Sequence, residues 1–405
     1  MPNTEYPILT VLPEDATGVD LSATVFVALE LSLTRWVVAA STPGEQKISQ
    51  RGIAACDGPA LLALLDHLRA RAEHRLGRAV RIATIQEAGR DGFWVHRLLE
   101  AHGVQSQVVD PSSIAVNRRS RRAKTDRIDA EAMLRTLMAW HRGERQVCAM
   151  VRPPSRETED ARRLSREREA LLAERIRHAN RIKGLLATQG IFDFEPTWKD
   201  RRTRLNTLRT PENSALPPRL KSEIVRQLDR LELVMQQIAA VEAERDATLA
   251  VAPQTPITVD NALMPNREGA GAFLPRLKGI GPEAASILTN EAFFRDFQNR
   301  REVAAYAGLT PSPWQSGGVD NEQGISKSGN GRVRKIMVQL AWLWLRHQPD
   351  SALSVWYREK VRDGRGRIKR IAIIALARKP LVALWRFVAQ GVVPSGAVLK
   401  LAKPA

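Results

Sequence analysis

Hydrophobic alternation near the start of the chain limits its fold more than any other feature. Residues 24–40, TVFVALELSLTRWVVAA, predict two apolar strands broken by a short turn, and residues 81–87, RIATIQE, predict a third. Between them, residues 58–76 place Leu61, Leu64, Leu65 and Leu68 at helical spacing. A helix over 92–102, a short strand over 104–109 and a turn over 110–113 complete a β-β-α-β-α-β order. That order calls for an α/β domain over about 20–145, with helices covering a mixed sheet.

Four acids stand at the ends of these elements. Glu30 is the one acid inside the first hydrophobic run, and Glu87 closes the strand over 81–87. A carboxylate in a strand that otherwise favours burial is costly unless something pairs it. Residues 118–130, RRSRRAKTDRIDA, then carry Asp126 and Asp129 three apart on one face of a predicted helix. As a set the four suit one or two Mg²⁺ ions beside the sheet, because hard cations take oxygen ligands and crowded carboxylates need a cation. Singly, each reads as a solvated charge or a salt-bridge partner, Asp129 with Arg127 above all. With Cys56 and Cys148 as the only cysteines, a disulfide framework and a Cys-based zinc site are excluded.

Beyond the sheet the chain turns helical, giving an α/β + α fold class. Residues 153–188 are dense in Arg, Glu, Leu and Ala and predict one long helix with a basic side. A polar, proline-containing stretch (197–218) precedes a second helix over 219–249, with Ile224, Leu228, Leu231, Val234, Ile238 and Val241 near heptad positions. Folded back on each other, the two make a long antiparallel coiled-coil arm over about 150–255, serving as a spacer, a dimerisation element or an RNA grip. Residues 266–400 predict a mostly helical domain, with core helices over 333–344 and 368–388. Within it, LKGIGPEAA at 277–285 matches a helix-hairpin-helix element, where Gly279 and Gly281, beside Lys278, let backbone amides approach a DNA phosphate. Residues 358–370 carry seven cations, Arg365 and Arg367 among them, and suggest a phosphate-contacting loop.

Charge agrees with that suggestion. Formal net charge is +18, from 62 Lys and Arg against 44 Asp and Glu, which implies a polyanionic partner, nucleic acid first. A membrane is the rival polyanion, yet no apolar run approaches the roughly 20 residues that span a bilayer. The polar start lacks a signal-peptide core, so the expected location is the cytoplasm.

Residues 314–335, WQSGGVDNEQGISKSGNGRVRK, combine one serine before two glycines with a basic helix start. A flexible loop that presents the Ser316 hydroxyl, with Lys327, Arg332, Arg334 and Lys335 facing the same polyanion, is what attack on a phosphodiester requires. Ser326 and Ser328 compete locally for that role, and the bland alternative is a Gly/Ser-rich surface turn.

Taken in linear order, Glu30…Glu87…Asp126-Arg-Ile-Asp129, then AYAGLTPSPWQSGG, GISKSGNGRVRK and KRIAIIALARKPLVALWR, the chain resembles the DEDD transposases of insertion sequences. These are the RNA-guided serine recombinases called bridge recombinases, and the resemblance runs from about residue 25 to 388. It implies an RNase H/RuvC-like first domain, Ser316 as the nucleophile that becomes linked to DNA, and the acidic quartet as the Mg²⁺ site. Lys124 and Arg127 then flank that site on the nucleic-acid side. The family's first acid is usually Asp in a GIDVSK-like strand, whereas this chain has ALELS. The resemblance also implies donor and target double-stranded DNA, a structured guide RNA, a dimer or tetramer in which the two active-site halves meet between subunits, and a bacterial, nucleoid-associated setting. Two other classes stay open from the residues themselves. One is a metal-only RNase H-like nuclease or junction resolvase, and the other an inactive nucleic-acid-binding remnant.

Overall fold

A computed structural model describes residues 20–89, 92–114, 125–251, 273–316, 319–362, 364 and 366–400, with backbone alone over 313–316 and 319–323 and at 251. The chain divides into two compact units, 1–154 and 155–405, each of which has its own core.

The first unit is built on a mixed six-stranded sheet. Its strands are β1 (Thr24–Glu30), β2 (Arg35–Ser41), β3 (Ser49–Ala54), β4 (Arg81–Glu87), β5 (Gln105–Val109) and β6 (Met150–Val151), in the order β3-β2-β1-β4-β5-β6. β1, β4 and β5 run parallel, while β2, β3 and β6 are antiparallel to their neighbours. Helices α1 (Gly58–Leu76) and α2 (Trp94–Ala101) cover one face and α3 (Asp126–His141) the other. The period of two in β1 explains the layering. Val25, Val27 and Leu29 pack with Leu61, Leu65, Leu68, Val95 and Leu99, whereas Phe26 and Ala28 pack with Ala130, Met133, Leu134 and Leu137. Ala28, Ala39 and Ala83 keep the α3 face shallow, so the helix lies close to the strands. Thr125 starts α3 by accepting the Ile128 amide at 3.3 Å.

Sequence reasoning placed β1, β2, α1 and β4 and missed β3. That strand, SQRGIA, is an edge whose side chains are exposed or half-buried, so it carries no apolar alternation to detect. The expected helix over 92–102 is shorter, Trp94–Ala101, and the turn at 110–113 closes as a 3₁₀ segment, Pro111–Ser113.

In the second unit the single helix expected over 153–188 is interrupted at Arg162, giving α4 (Arg156–Ala161) and α5 (Arg163–Ala187). Arg162 is drawn inward there: its guanidinium donates to the Asn290 carbonyl at 2.8 Å and lies over the Phe294 ring at 4.4 Å. The stretch expected to be polar and irregular holds α6 (Arg201–Thr207), fixed by buried Leu205 and by Arg201 on Glu232 at 2.8 Å. α7 (Pro218–Val251) returns along α5. Ile182 and Leu186 pack with Ile224, Leu228 and Leu231, while Leu171 packs with Val234, Ile238 and Val241, so the two helices are antiparallel.

The rest of this unit is α8 (Pro282–Leu288), a π-helical turn (Thr289–Phe293), α9 (Arg300–Tyr306), the hairpin β7 (Pro311–Ser316) and β8 (Val319–Ile325), α10 (Gly331–His347), α11 (Ala352–Val361) and α12 (Gly366–Gln390). Two expectations are corrected here. Ser316 ends a β-strand instead of riding a loop, because 311–316 and 319–325 pair in an antiparallel register across two glycines. The cationic segment over 358–370 is largely the end of α11 and the start of α12, continuous with helices whose Tyr357, Ala372 and Ile373 anchor them in the core.

Candidate active site and nucleic-acid interface

Sheet register brings the two glutamates together. Leu29 pairs with Gln86 in the parallel β1–β4 ladder, so Glu30 and Glu87 follow at the same strand ends. Phe26, Ala28 and Glu30 share one face by alternation, as do Ala83, Ile85 and Glu87, and in both strands it is the face covered by α3. α3 runs against β1: the His141 ring at its last turn lies 5.3 Å from Phe26, near the start of β1. Its first turn, with Asp126 and Asp129, is at the other end of the helix, on the side of β3, while Glu30 and Glu87 stand at the edge where β1 and β4 end. That edge, the carboxyl ends of parallel strands, is where open α/β sheets build sites. The N-terminus of α3 also favours the negative charge of its own Asp126 and Asp129. Glu30, Glu87 and Asp129 are half-buried and Asp126 is exposed.

Two carboxylates at one edge of the sheet and two on the first turn of α3 are oxygen donors of the kind a hard divalent cation takes. Among the described residues no three His, Cys, Asp or Glu side chains are gathered around one point. Arg127 turns toward β3, donating to Gln50 Oε1 at 2.7 Å while its carbonyl accepts from Gln50 Nε2 at 3.3 Å. Lys124 lies outside the described residues, as does Arg365.

In the second unit Ser316 pairs with Val319 at the distal end of the hairpin. Ser326 and Ser328 sit at its other end, where both the Thr310 and Ser328 hydroxyls donate to Ser326 Oγ at 3.2 Å. Lys327 is exposed, with a left-handed φ of 57°. The other three cations of this stretch are engaged within the unit. Arg332 reaches Glu169 Oε2 at 2.6 Å and the Ser165 carbonyl at 3.0 Å, Lys335 donates to Glu169 Oε1 at 2.7 Å, and Arg334 donates to the Ala307 carbonyl at 3.2 Å. Lys335 first, then Arg332, hold the Glu169 carboxyl below its ordinary pKa against the opposing effect of burial.

The glycine turn after Lys278 packs against α10 and leaves Lys278 itself exposed. Gly279 has φ +88° and sits where a Cβ would meet His347 Cβ at 3.0 Å, so only glycine lets the turn close on α10. The Lys278 amide donates to the Val398 carbonyl at 3.1 Å, and Gly281 caps α8. Arg367 is exposed in the first turn of α12.

Sequence reasoning did not find Glu291, which is 1% exposed in the π-helical turn. Burial alone would raise its pKa, yet Arg166 at 2.9 Å, Arg162 at 4.0 Å and the Asn330 amide at 3.2 Å hold it below the ordinary carboxylate value. Those partners lie far from it in sequence, so no local pattern announces it. The carboxylate ties the start of α5 to the residue that caps α10, Asn330, whose Oδ1 accepts the Arg332 amide at 3.0 Å.

Comparison with known proteins agrees with this architecture. Residues 32–190 match a DEDD transposase family of IS110 type, and residues 271–355 match the Transposase IS116/IS110/IS902 family. A Sinorhizobium fredii protein named "Putative transposase y4rJ" is 53% identical over 392 residues, covering 96% of this chain and 98% of that protein. The transposase for insertion sequence element IS1328 of Yersinia enterocolitica is 26% identical, covering 76% of this chain and 84% of its own length. That for IS1111A of Coxiella burnetii is 25% identical, over 74% and 76% respectively. A DEDD-type domain implies a divalent metal, and no helix among the described residues is long and apolar enough to cross a membrane. With its six-stranded mixed sheet, acid-bearing strand ends and helical second unit, the chain belongs to the IS110/IS116 family of transposases and is a DNA transposase.

Proposed function

We propose that this transposase cuts and rejoins DNA through a Ser316 ester, with Glu30, Glu87, Asp126 and Asp129 as its Mg²⁺ site. The observation that supports it most is that Glu30 and Glu87 end neighbouring parallel strands on the sheet face covered by α3, the helix whose first turn carries Asp126 and Asp129. When bound, Mg²⁺ neutralises charge at the scissile phosphate. The chain's own groups do the rest: Ser316 Oγ forms a bond to phosphorus as one deoxyribose oxygen leaves, and the hydroxyl proton passes to a general base, since a neutral serine is a poor nucleophile. The leaving deoxyribose oxygen takes up a proton, and rejoining reverses the step with a new DNA hydroxyl. Residues 20–145 act as the RuvC-like domain, 150–255 as a coiled-coil arm and 266–400 as the serine-bearing domain. Lys278, Lys327, Arg332, Arg334, Lys335, Arg365 and Arg367, with Lys124 and Arg127, contact nucleic acid. A structured RNA selects donor and target DNA, and the chain works as a dimer or tetramer on the bacterial nucleoid.

The test is an adduct trap with full-length protein, guide RNA and DNA, followed by mass spectrometry of the modified residue. A covalent DNA mark on Ser316, lost in Ser316→Ala along with roughly 10³-fold or more of strand exchange, is the expected result. Asp129→Asn should cost on the order of 10²-fold or more while leaving DNA affinity within a few-fold. Full-rate cutting by Ser316→Ala would instead favour water as nucleophile and a metal-only nuclease.

A further inference from the structure

We infer that the groove between α9, the base of the β7–β8 hairpin and α12 seats an unpaired strand of nucleic acid, with phosphates on its cationic rim and bases on its apolar floor. The groove is a cavity of about 1260 Å³ within the second unit. Helix α12 presents two faces. One, with Ile373, Leu376, Ala377, Leu381 and Leu384, belongs to the core. The other lines the groove with Arg367, Arg370, Arg378, Lys379 and Arg386, interleaved with Ile371, Ile374 and Val382. Arg300 and Arg301 from the start of α9 and Lys327 below the hairpin complete the rim.

Eight cations line this cavity and none of its described lining residues is acidic. Among the described residues none of the eight forms an ion pair. Burial first, then the charges of Arg300 and Arg301 nearby, push the Arg378 guanidinium below its ordinary pKa, so like charges add to the cost of burial there. A polyanion relieves that repulsion.

The floor decides which polyanion. Ile371 is 56% exposed, and Ile374, Val382, Leu309 and Ile325 continue the apolar surface. A duplex hides its bases in the stack and would bring only phosphates to such a floor. An unpaired strand brings both, and guanidinium planes as well as apolar side chains accept unstacked bases. From Arg367 to Arg386 the face runs about 28 Å at 1.5 Å per residue, long enough for several nucleotides. The inference rests on the proposed DNA-rejoining function only for the identity of the polyanion.

The experiment uses full-length protein, labelled dT12 and the dT12·dA12 duplex. The triple variant Arg301→Gln/Arg370→Gln/Arg386→Gln should weaken dT12 binding at least tenfold. The slope of log affinity against log salt should fall by about two, at roughly 0.7 per lost single-strand phosphate contact. Duplex binding should change less. A dT12 containing 4-thiothymidine should crosslink to wild-type protein at residues 371–382, a readout that needs no variant to fold. Unchanged dT12 affinity and slope, or crosslinks confined to other segments, would overturn the assignment. Displacement of dT12 by an equally charged polyaspartate that binds more tightly would assign the groove to an acidic protein partner. Ser316→Ala should keep the strand in the groove, so loss of the adduct and loss of strand binding report on separate ideas.

Discussion

At the scale of single residues, burial sets several charges against their surroundings. His141, 8% exposed between Phe26 and Trp140, has its pKa lowered to about 4, by burial first and then by the Arg145 charge. The folded state thus prefers the neutral ring, and protons favour the unfolded chain. The stability His141 protects is whole above its ordinary value of 6.5 and is lost as pH falls from there toward 4, by roughly 2–3 kcal/mol at pH 4.5. Urea titrations at pH 7 and 4.5 should show that loss for wild type and a correspondingly smaller one for His141→Phe, which keeps a ring without a proton to gain. Glu30 and Glu87 stood out in the sequence because each sits in or at the end of an apolar run, where an acid is conspicuous, while Asp126 and Asp129 stood out by their spacing on one helix face. Glu291 did not, because its meaning comes from Arg162 and Arg166, over a hundred residues away, and only folding brings them within 4.0 Å.

Among elements, those with a strong period were legible and those defined by an edge or a pairing were not. β1 alternates between two helical layers, and α7 buries all six of the residues its heptad spacing singled out. The β7–β8 hairpin was taken for a loop because its glycines and prolines suppress strand propensity, although pairing across them suffices. α12 misled differently: its core face was evident, while its first cations were assigned to a loop and the later ones, Arg378, Lys379 and Arg386, were not singled out. The loop before α10 carries a sharper constraint. Gly329 has φ +79° and a Cβ there would press on the Tyr306 carbonyl oxygen, the acceptor of the Asn330 amide at 2.6 Å. Gly329→Ala should therefore cost roughly 1–3 kcal/mol or more in urea and speed amide exchange in the first turn of α10, with α5 and α7 unaffected.

Across the whole molecule, charge is the property most directly legible, since +18 needs no fold to be counted. Where that charge is available does need one. Much of it is spent internally, as in Arg202 on Asp229 and Glu232 or Arg245 on Glu283, while the groove keeps its cations without acids. If 6–10 phosphates are contacted, duplex affinity should drop on the order of 10³–10⁵-fold between 50 and 200 mM salt, as fluorescence anisotropy can measure. A slope equivalent to one or two contacts would mean that the surplus charge is not directed at DNA. One grip described above bears on how such binding is felt. Glu169, on α5, holds both Arg332 and Lys335 of α10. An incoming phosphate that claims either cation competes with a carboxylate already seated there, so capturing it and slackening the root of the helical arm become two sides of one exchange.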